Sequence, residues 1–263
     1  LSFAARAQAP LTRSEQAVID FGFATQLGSG VYTMSGRTLQ VYRLPFAYEF
    51  DHAAEARVRA SLTLPVTLGF IDFKPVDVVD TGLPQSLDSM SFVPGLTLEV
   101  LLSTRWRIEP FVEAGIARDR TSDFDQRIYA AGLRSFYDIH DAGTAWQVYG
   151  EALYTTIEQT SLDRSDDFTR LRLGTTARRA FDVAGQGRRA DYLIYGFVDV
   201  FPDLPESALN GEDGSGDPQF ELGVTLGTTE PVRVLGIALP RVGLGYRFGN
   251  GLSAYRLVFG GPF

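Results

Sequence analysis

The sequence has no cysteine, a single lysine (Lys74), two histidines and two methionines. Without thiols it can form no disulfide framework, no catalytic thiolate, no cysteine-ligated zinc finger and no iron–sulfur cluster. No stretch approaches the ~18 consecutive apolar residues of a transmembrane helix. Cations are also in deficit: 24 Lys and Arg against 32 Asp and Glu give a net charge of −8. Such a chain is a poor match for nucleic acid, whose binding proteins replace phosphate counterions with basic surface. A length of 263 residues fits one domain, or at most two. What the chain does hold is 27 Gly, 19 Phe, 11 Tyr and 2 Trp.

The order of these residues is more informative than their number. Over 57–70, Val58, Ala60, Leu62, Leu64, Val66, Leu68 and Phe70 alternate with Arg57, Arg59, Ser61, Thr63, Pro65, Thr67 and Gly69. Side chains along a strand point alternately to opposite faces, so this strand has one apolar face and one polar face. At ~3.3 Å per residue it spans roughly 45 Å, far beyond the usual strand and in the range of tilted strands that cross a bilayer. The same alternation recurs at 40–50, 96–103, 105–117, 146–154 and 170–178, with weaker versions near 127–137, 190–201, 218–229 and 236–248.

The charges keep to one phase. Arg43, Arg57, Arg59, Arg105, Arg107, Arg134, Arg170, Arg172, Arg178, Arg241, Arg247 and Arg256 share the polar face with Glu49, Glu99, Glu109, Glu113, Glu151 and Glu221. In a soluble sandwich that face would meet water. In an outer-membrane barrel the pattern is inverted, with apolar residues toward lipid and polar residues toward the interior. The near-total use of Arg over Lys suits confined pairs with carboxylates, because the guanidinium fork binds them bidentately. A GC-rich genome produces the same bias, so the ratio carries little weight.

Twelve strands are expected: 17–26, 37–50, 54–70, 90–103, 105–118, 126–137, 144–157, 168–181, 189–201, 218–229, 236–248 and 252–263. The first is ambiguous, since Val18, Ile19, Phe21 and Phe23 also fit a short amphipathic helix. The fold class expected is all-β, an antiparallel up-and-down transmembrane β-barrel of about 12 strands. An even number places both termini in the periplasm. Tight connections at Asp51–Ala53, near Thr104, at Asp138–Gly143 and at Asp182–Arg188 then fall on the inner side. Longer ones at 71–89, 119–125, 158–167 and 202–217 fall outside, together with the short turn Gly249-Asn250-Gly251. Overlapping A-x-A patterns at Ala5, Ala7 and Ala9 mark 1–15 as the remnant of an export signal or a disordered leader, with the barrel over 16–263.

The last strand carries Tyr255, Leu257, Phe259 and the terminal Phe263 in one phase, with Gly261 as a departure. A terminal aromatic preceded by alternating apolar residues resembles the strand that outer-membrane barrels present to the barrel-assembly machinery. Together with the strand number and length, the chain resembles the solitary autotransporter-type β-barrels of Gram-negative bacteria. That resemblance implies an integral outer-membrane protein whose partners are membrane lipids, lipopolysaccharide and the assembly machinery. Residues 1–15 carry no passenger repeat.

Chemistry is sparse in the pattern, and no cofactor, metal or catalytic residue is expected. A barrel hydrolase would need a serine beside a histidine base. His52 and His140 both fall in expected turns, flanked by Asp51, Asp138 and Asp141. Asp199, Glu151 and Glu113 are inner-wall carboxylates, but neighbouring arginines would hold them as salt bridges. The loop Asn210–Asp217 interleaves acids and glycines without the ligand spacing of a calcium loop. The glycine pairs at 28–30 and 185–187 sit in no strand–helix unit and read as turns. Three functions therefore stand: a translocator or narrow channel, anion-preferring because twelve of the inward residues are Arg and six are Glu; a plugged structural or surface-interaction barrel, with 1–16 or 71–89 as the plug; and a barrel enzyme such as a lipid hydrolase.

Overall fold

In the computed structural model, residues 28–34, 37–53, 56–71, 89–119, 124–141, 143–159, 164–182, 189–203, 218–228, 233–234, 237–238, 241–249 and 252–259 are described. The strands are β1 (Gly30–Met34), β2 (Arg37–Glu49), β3 (Val58–Ile71), β4 (Ser89–Phe92), β5 (Gly95–Leu101), β6 (Trp106–Asp119), β7 (Phe124–Asp141), β8 (Thr144–Gln159), β9 (Arg164–Asp182), β10 (Arg189–Asp203), β11 (Gln219–Thr228), β12 (Arg233–Val234), β13 (Ile237–Ala238), β14 (Val242–Gly249) and β15 (Leu252–Phe259). Each barrel strand pairs antiparallel with its neighbours, and β1 pairs with both β2 and β15, which closes the sheet. β4 and β5 are two halves of one wall strand, both lying between β3 and β6. The wall is thus a closed antiparallel barrel of twelve strands, with the tiny β12–β13 hairpin outside it in the connection to β14.

The break at Val93–Pro94 is built into the sequence. Pro94 and Pro65 both lack a backbone N–H, and the β3 ladder is interrupted between Thr63↔Gly95 and Val66↔Phe92, where Pro65 lies. The Ala114 N–H donates to the Pro94 carbonyl at 3.0 Å and refastens the bulge to β6. Gly115 permits this, because a Cβ there would overlap the backbone of Phe92 and Val93.

Several expected boundaries shift. The first wall strand is Gly30–Met34; the expected strand at 17–26 lies outside the described residues, as do 1–15 and the terminal Phe263. Four residues after Gly30 are too few for alternation to show in sequence, and Gly28, at φ 98, looked like a simple turn. The strand expected at 236–248 is Val242–Gly249, with the β12–β13 hairpin before it. β7 and β9 are longer than expected, at 18 and 19 residues. The connections expected to be long at 119–125 and 158–167 shrink to 120–123 and 160–163, because the strands themselves continue into them. There β7 and β9 place Asp125, Arg127 and Asp167 on the exposed face and Ile128 and Phe168 on the buried one, the reverse of the pattern farther along, which hides the period.

One end of the wall holds the start of β1 and the finish of β15, here called the terminal end. The long connections 72–88 and 204–217 lie at the other, the far end. The terminal end also carries a long connection, 229–241, that the short-turn pattern did not anticipate.

The wall is apolar outside. Leu173, Leu222, Leu244, Ile116 and Tyr255 are 61%, 61%, 62%, 62% and 69% exposed, while Arg247, Asp199 and Glu221 are 0% exposed. That inversion is untenable in water and natural in lipid. On β7 the outward run from Tyr129 to Ile139, apolar but for Ser135, is about 33 Å along the strand, or about 25 Å along the membrane normal at a ~40° tilt. Aromatic rings border it. Tyr129, Tyr154, Phe220 and Phe248 lie toward the far end, and Phe46, Tyr48, Trp106, Tyr137 and Trp146 toward the terminal end. The Trp106 indole N–H donates to Ser135 Oγ at 3.0 Å, the amphipathic arrangement expected at an interface.

Candidate functional site: a charged ladder inside the barrel

Strand register alone places the charges. One rung crosses six strands as Glu109, Arg134, Glu151, Arg172, Asp199 and Gln219, each the direct cross-strand partner of the next. The signs alternate, as favourable cross-strand pairing requires. The next rung toward the terminal end runs Arg107, Phe136, Tyr149, Gly174, Phe197, Glu221 and Arg247. Aromatic rings in this rung and at Phe111 serve as platforms for the guanidinium groups. Arg107 lies 3.9 Å from the Phe136 ring centroid, Arg134 3.9 Å from Phe111, and Arg172 3.9 Å from Phe197.

The carboxylates of Glu151, Asp199, Glu221 and Asp191 are each shared between two or more donors. Glu151 accepts from Arg134 at 3.1 Å, from Arg170 at 2.5 Å and from the Tyr149 hydroxyl at 2.6 Å. Asp199 takes a bidentate pair from Arg172 at 2.6 and 2.8 Å and a further bond from Arg247. Arg247 also donates to Gln219 Oε1 at 2.9 Å. Glu221 accepts from Arg256 at 2.9 and 2.7 Å and from the Tyr195 hydroxyl at 2.9 Å. Asp191 joins Arg178 to Arg241, and Glu113 faces Arg43 at 3.7 Å. Apart from the looser Arg43–Glu113 pair these are charge-assisted bonds, and Arg172 and Asp199 meet fork to fork.

Around β3 to β8 the network thins toward the terminal end, whereas along β9, β10 and β14 Asp191 stays buried there between Arg178 and Arg241. Arg59 pairs with Glu99 at 3.5 Å, and Arg107 reaches Glu99, Glu109 and Asp138. Side-chain exposure there rises to 47% for Arg59 and 33% for Asp138. Of the residues expected to face inward, Glu49, Arg57 and Arg105 are brought into none of these pairs. Glu49 ends β2, Arg57 precedes β3 and Arg105 precedes β6, so all three sit exposed at the terminal rim, where the ladder has run out. Asp138, Asp191 and the aromatic partners Tyr149 and Tyr195 also face inward, beyond the residues expected to do so. Their inward phase was visible in alternation, but Asp138 and Asp191 lie in stretches read as turn or weak strand. With them and Asp199, ten arginines share eight carboxylates. The strong positive excess expected from sequence is thereby largely cancelled.

The histidines separate. His52 lies in the β2–β3 connection, where its Nε2 accepts the Ala60 N–H at 2.6 Å and fastens the turn. His140 is an exposed residue of β7, opposite Ala145, not of a turn as the sequence suggested, because β7 runs on to Asp141. Neither is bonded to a serine among the described residues. The acidic loop 210–217 lies outside the described residues. Tyr255 points outward and Leu257 is half-buried, while Phe259 closes β15.

A closed, single-layer antiparallel barrel, apolar outside and ion-paired within, defines the class of outer-membrane β-barrels. No family model and no curated protein matches the chain. Among solved structures it is similar to the β domain of the Bordetella autotransporter BrkA, with a TM-score of 0.53 and 12% identity over 88% of this chain and 96% of that one. LpxR from Salmonella typhimurium aligns with a TM-score of 0.47 and 11% identity over 94% and 95%. At 12% identity the likeness to that β domain is one of fold: this is an outer-membrane-type β-barrel resembling the autotransporter barrels.

Proposed function

We propose that the protein is an integral barrel of the bacterial outer membrane whose interior is braced and closed, so that it acts as a sealed surface barrel and not as an open pore. The observation that carries this reading is the side-chain exposure of Arg247, Asp199 and Glu221, which is 0% for all three. Residues lining a water-filled channel would be wetted, as in wide barrels with aqueous lumens. A ladder of shared ion pairs also leaves few unpaired cations to select anions. The partly exposed residues Arg59, Arg107 and Asp138 form a shallow charged recess at the terminal end, which faces the periplasm in this reading. The far end, with 72–88 and 204–217, faces outward, in keeping with longer external loops, and meets lipopolysaccharide. Both histidines lack a serine partner among the described residues, which argues against a serine–histidine hydrolase.

Liposome swelling tests the reading. Protein refolded into liposomes should leave them as tight to arabinose as protein-free controls, with folding verified by heat-modifiable electrophoretic mobility. Swelling that rises with the amount of folded protein would overturn it in favour of a channel.

A further inference from the structure

We infer that the mouth of the barrel at the terminal end binds an acidic peptide segment in extended form, with Arg57 and Arg105 as its carboxylate ligands. This rests on the periplasmic placement of that end proposed above, and it gives the sealed barrel a docking point for a periplasmic protein. Of the arginines expected to face inward, these two make no ion pair among the described residues. Both are exposed. Backbone bonds fix where their side chains start: the Leu101 N–H donates to the Arg57 carbonyl at 2.8 Å, and the Asp138 N–H to the Arg105 carbonyl at 2.7 Å. Ser103 Oγ accepts the N–H groups of Arg105 and Trp106 at 3.2 and 3.1 Å and holds the β5–β6 turn in shape.

Register gives the spacing. Arg57 and Arg107 flank Leu101, one across each of its strand pairings, and Arg105 lies two residues from Arg107 in the same phase. Two strand spacings and one two-residue step set the backbones of Arg57 and Arg105 about 12 Å apart. Along an extended peptide, carboxylates four residues apart share a face at about 13 Å. The acids nearest the two arginines are already engaged: Glu99 lies between Arg59 and Arg107, while Glu109 and Asp138 reach Arg107. Each free guanidinium fork can therefore take one carboxylate bidentately. The same acids, with exposed Glu49 at the rim, repel a densely charged polyanion. Single charges spaced along a chain suit this mouth better than a compact phosphate does. Because the recess is solvated, the contact is sensitive to salt.

The test uses the full-length folded protein in nonionic detergent. The probe is a fluorescein-labelled serine–threonine peptide with two glutamates four residues apart, and binding is read by fluorescence anisotropy at low salt. The wild type should bind it in preference to the same peptide with glutamines. Arg57→Ala/Arg105→Ala should weaken binding about tenfold, the scale of losing charge-assisted bonds. Arg127→Ala, exposed at the far end, should bind like the wild type. No binding by the wild type, equal binding of the glutamine peptide, unchanged affinity of the double variant or equal loss through Arg127→Ala would each overturn the assignment. Stronger competition by inorganic tripolyphosphate, or by soluble peptidoglycan fragments, than by unlabelled glutamate peptide would also overturn it, in favour of a phosphate or a cell-wall ligand. The absence of native cysteine lets the placement be tested separately. Thr104→Cys, in the same turn, should react with a membrane-impermeant maleimide only after cells are permeabilised. Labelling of intact cells would defeat the periplasmic placement and the docking role with it, whereas loss of peptide binding alone defeats the site and leaves the sealed barrel standing.

Discussion

At the scale of residues, burial decides which charges matter. Asp199 sits between Arg172 and Arg247 with no solvent to screen it. Asp199→Ala strands two guanidinium groups in the interior and should cost about 3–5 kcal/mol, the usual penalty for breaking a buried pair. Glu99, with a side chain 29% exposed and at the open end of the ladder, should lose no more than about 1 kcal/mol on replacement by alanine. Urea unfolding followed by electrophoretic mobility compares the two, and equal losses would contradict the gradient from sealed to solvated. Space is regulated as closely as charge. A Cβ on Gly132 would run into the Phe111 ring that supports Arg134, so Gly132→Val should destabilise by about 1–3 kcal/mol through overpacking. The arginines and glutamates of this network were legible from phase alone. The partners were not, because which acid meets which arginine depends on register, and register is set by the relative stagger of strands that no single segment reveals.

At the scale of elements, the period-2 pattern is strongest where a strand is lipid-facing on one side and charged on the other. β3 and β6 are the clearest cases, and their sequence boundaries lie within a few residues of the observed ones. β1 could not be read in this way, since five residues carry too little alternation. Nor could the outer thirds of β7 and β9, where Arg127 and Asp167 point outward and Ile128 and Phe168 are buried, the reverse of the lipid-level pattern. That reversal marks one border of the lipid-facing belt. An outward charge should therefore be costly below it and cheap at its border. Leu133→Arg, in the middle of the β7 belt, is expected to destabilise the barrel in lipid by about 2–4 kcal/mol, and Tyr129→Arg at the border by no more than about 1 kcal/mol. Folding titrations in phospholipid vesicles measure both, and a soluble fold would show no dependence on depth.

At the scale of the whole molecule, closure of the sheet and bracing of its interior are one design. The β1–β15 pairing is short, with register from Val31↔Tyr255 to Thr33↔Ser253, so the hydrogen-bonded seam alone is modest. Arg256 of β15 binds Glu221 of β11, and Arg247 of β14 binds Asp199 of β10, which ties the last strands to the middle of the wall across the strands between them. Composition and alternation were enough to identify a membrane barrel of about twelve strands. They could not distinguish a channel from a sealed barrel, because that depends on whether opposed side chains meet across the interior. Single-channel recording of the folded protein in a planar bilayer tests the central claim most directly. A sealed, braced barrel should insert without stable conductance steps, and Asp199→Ala should raise only transient leak. Stable, sign-selective steps from the wild type would contradict the account and make the arginine ladder the lining of a pore.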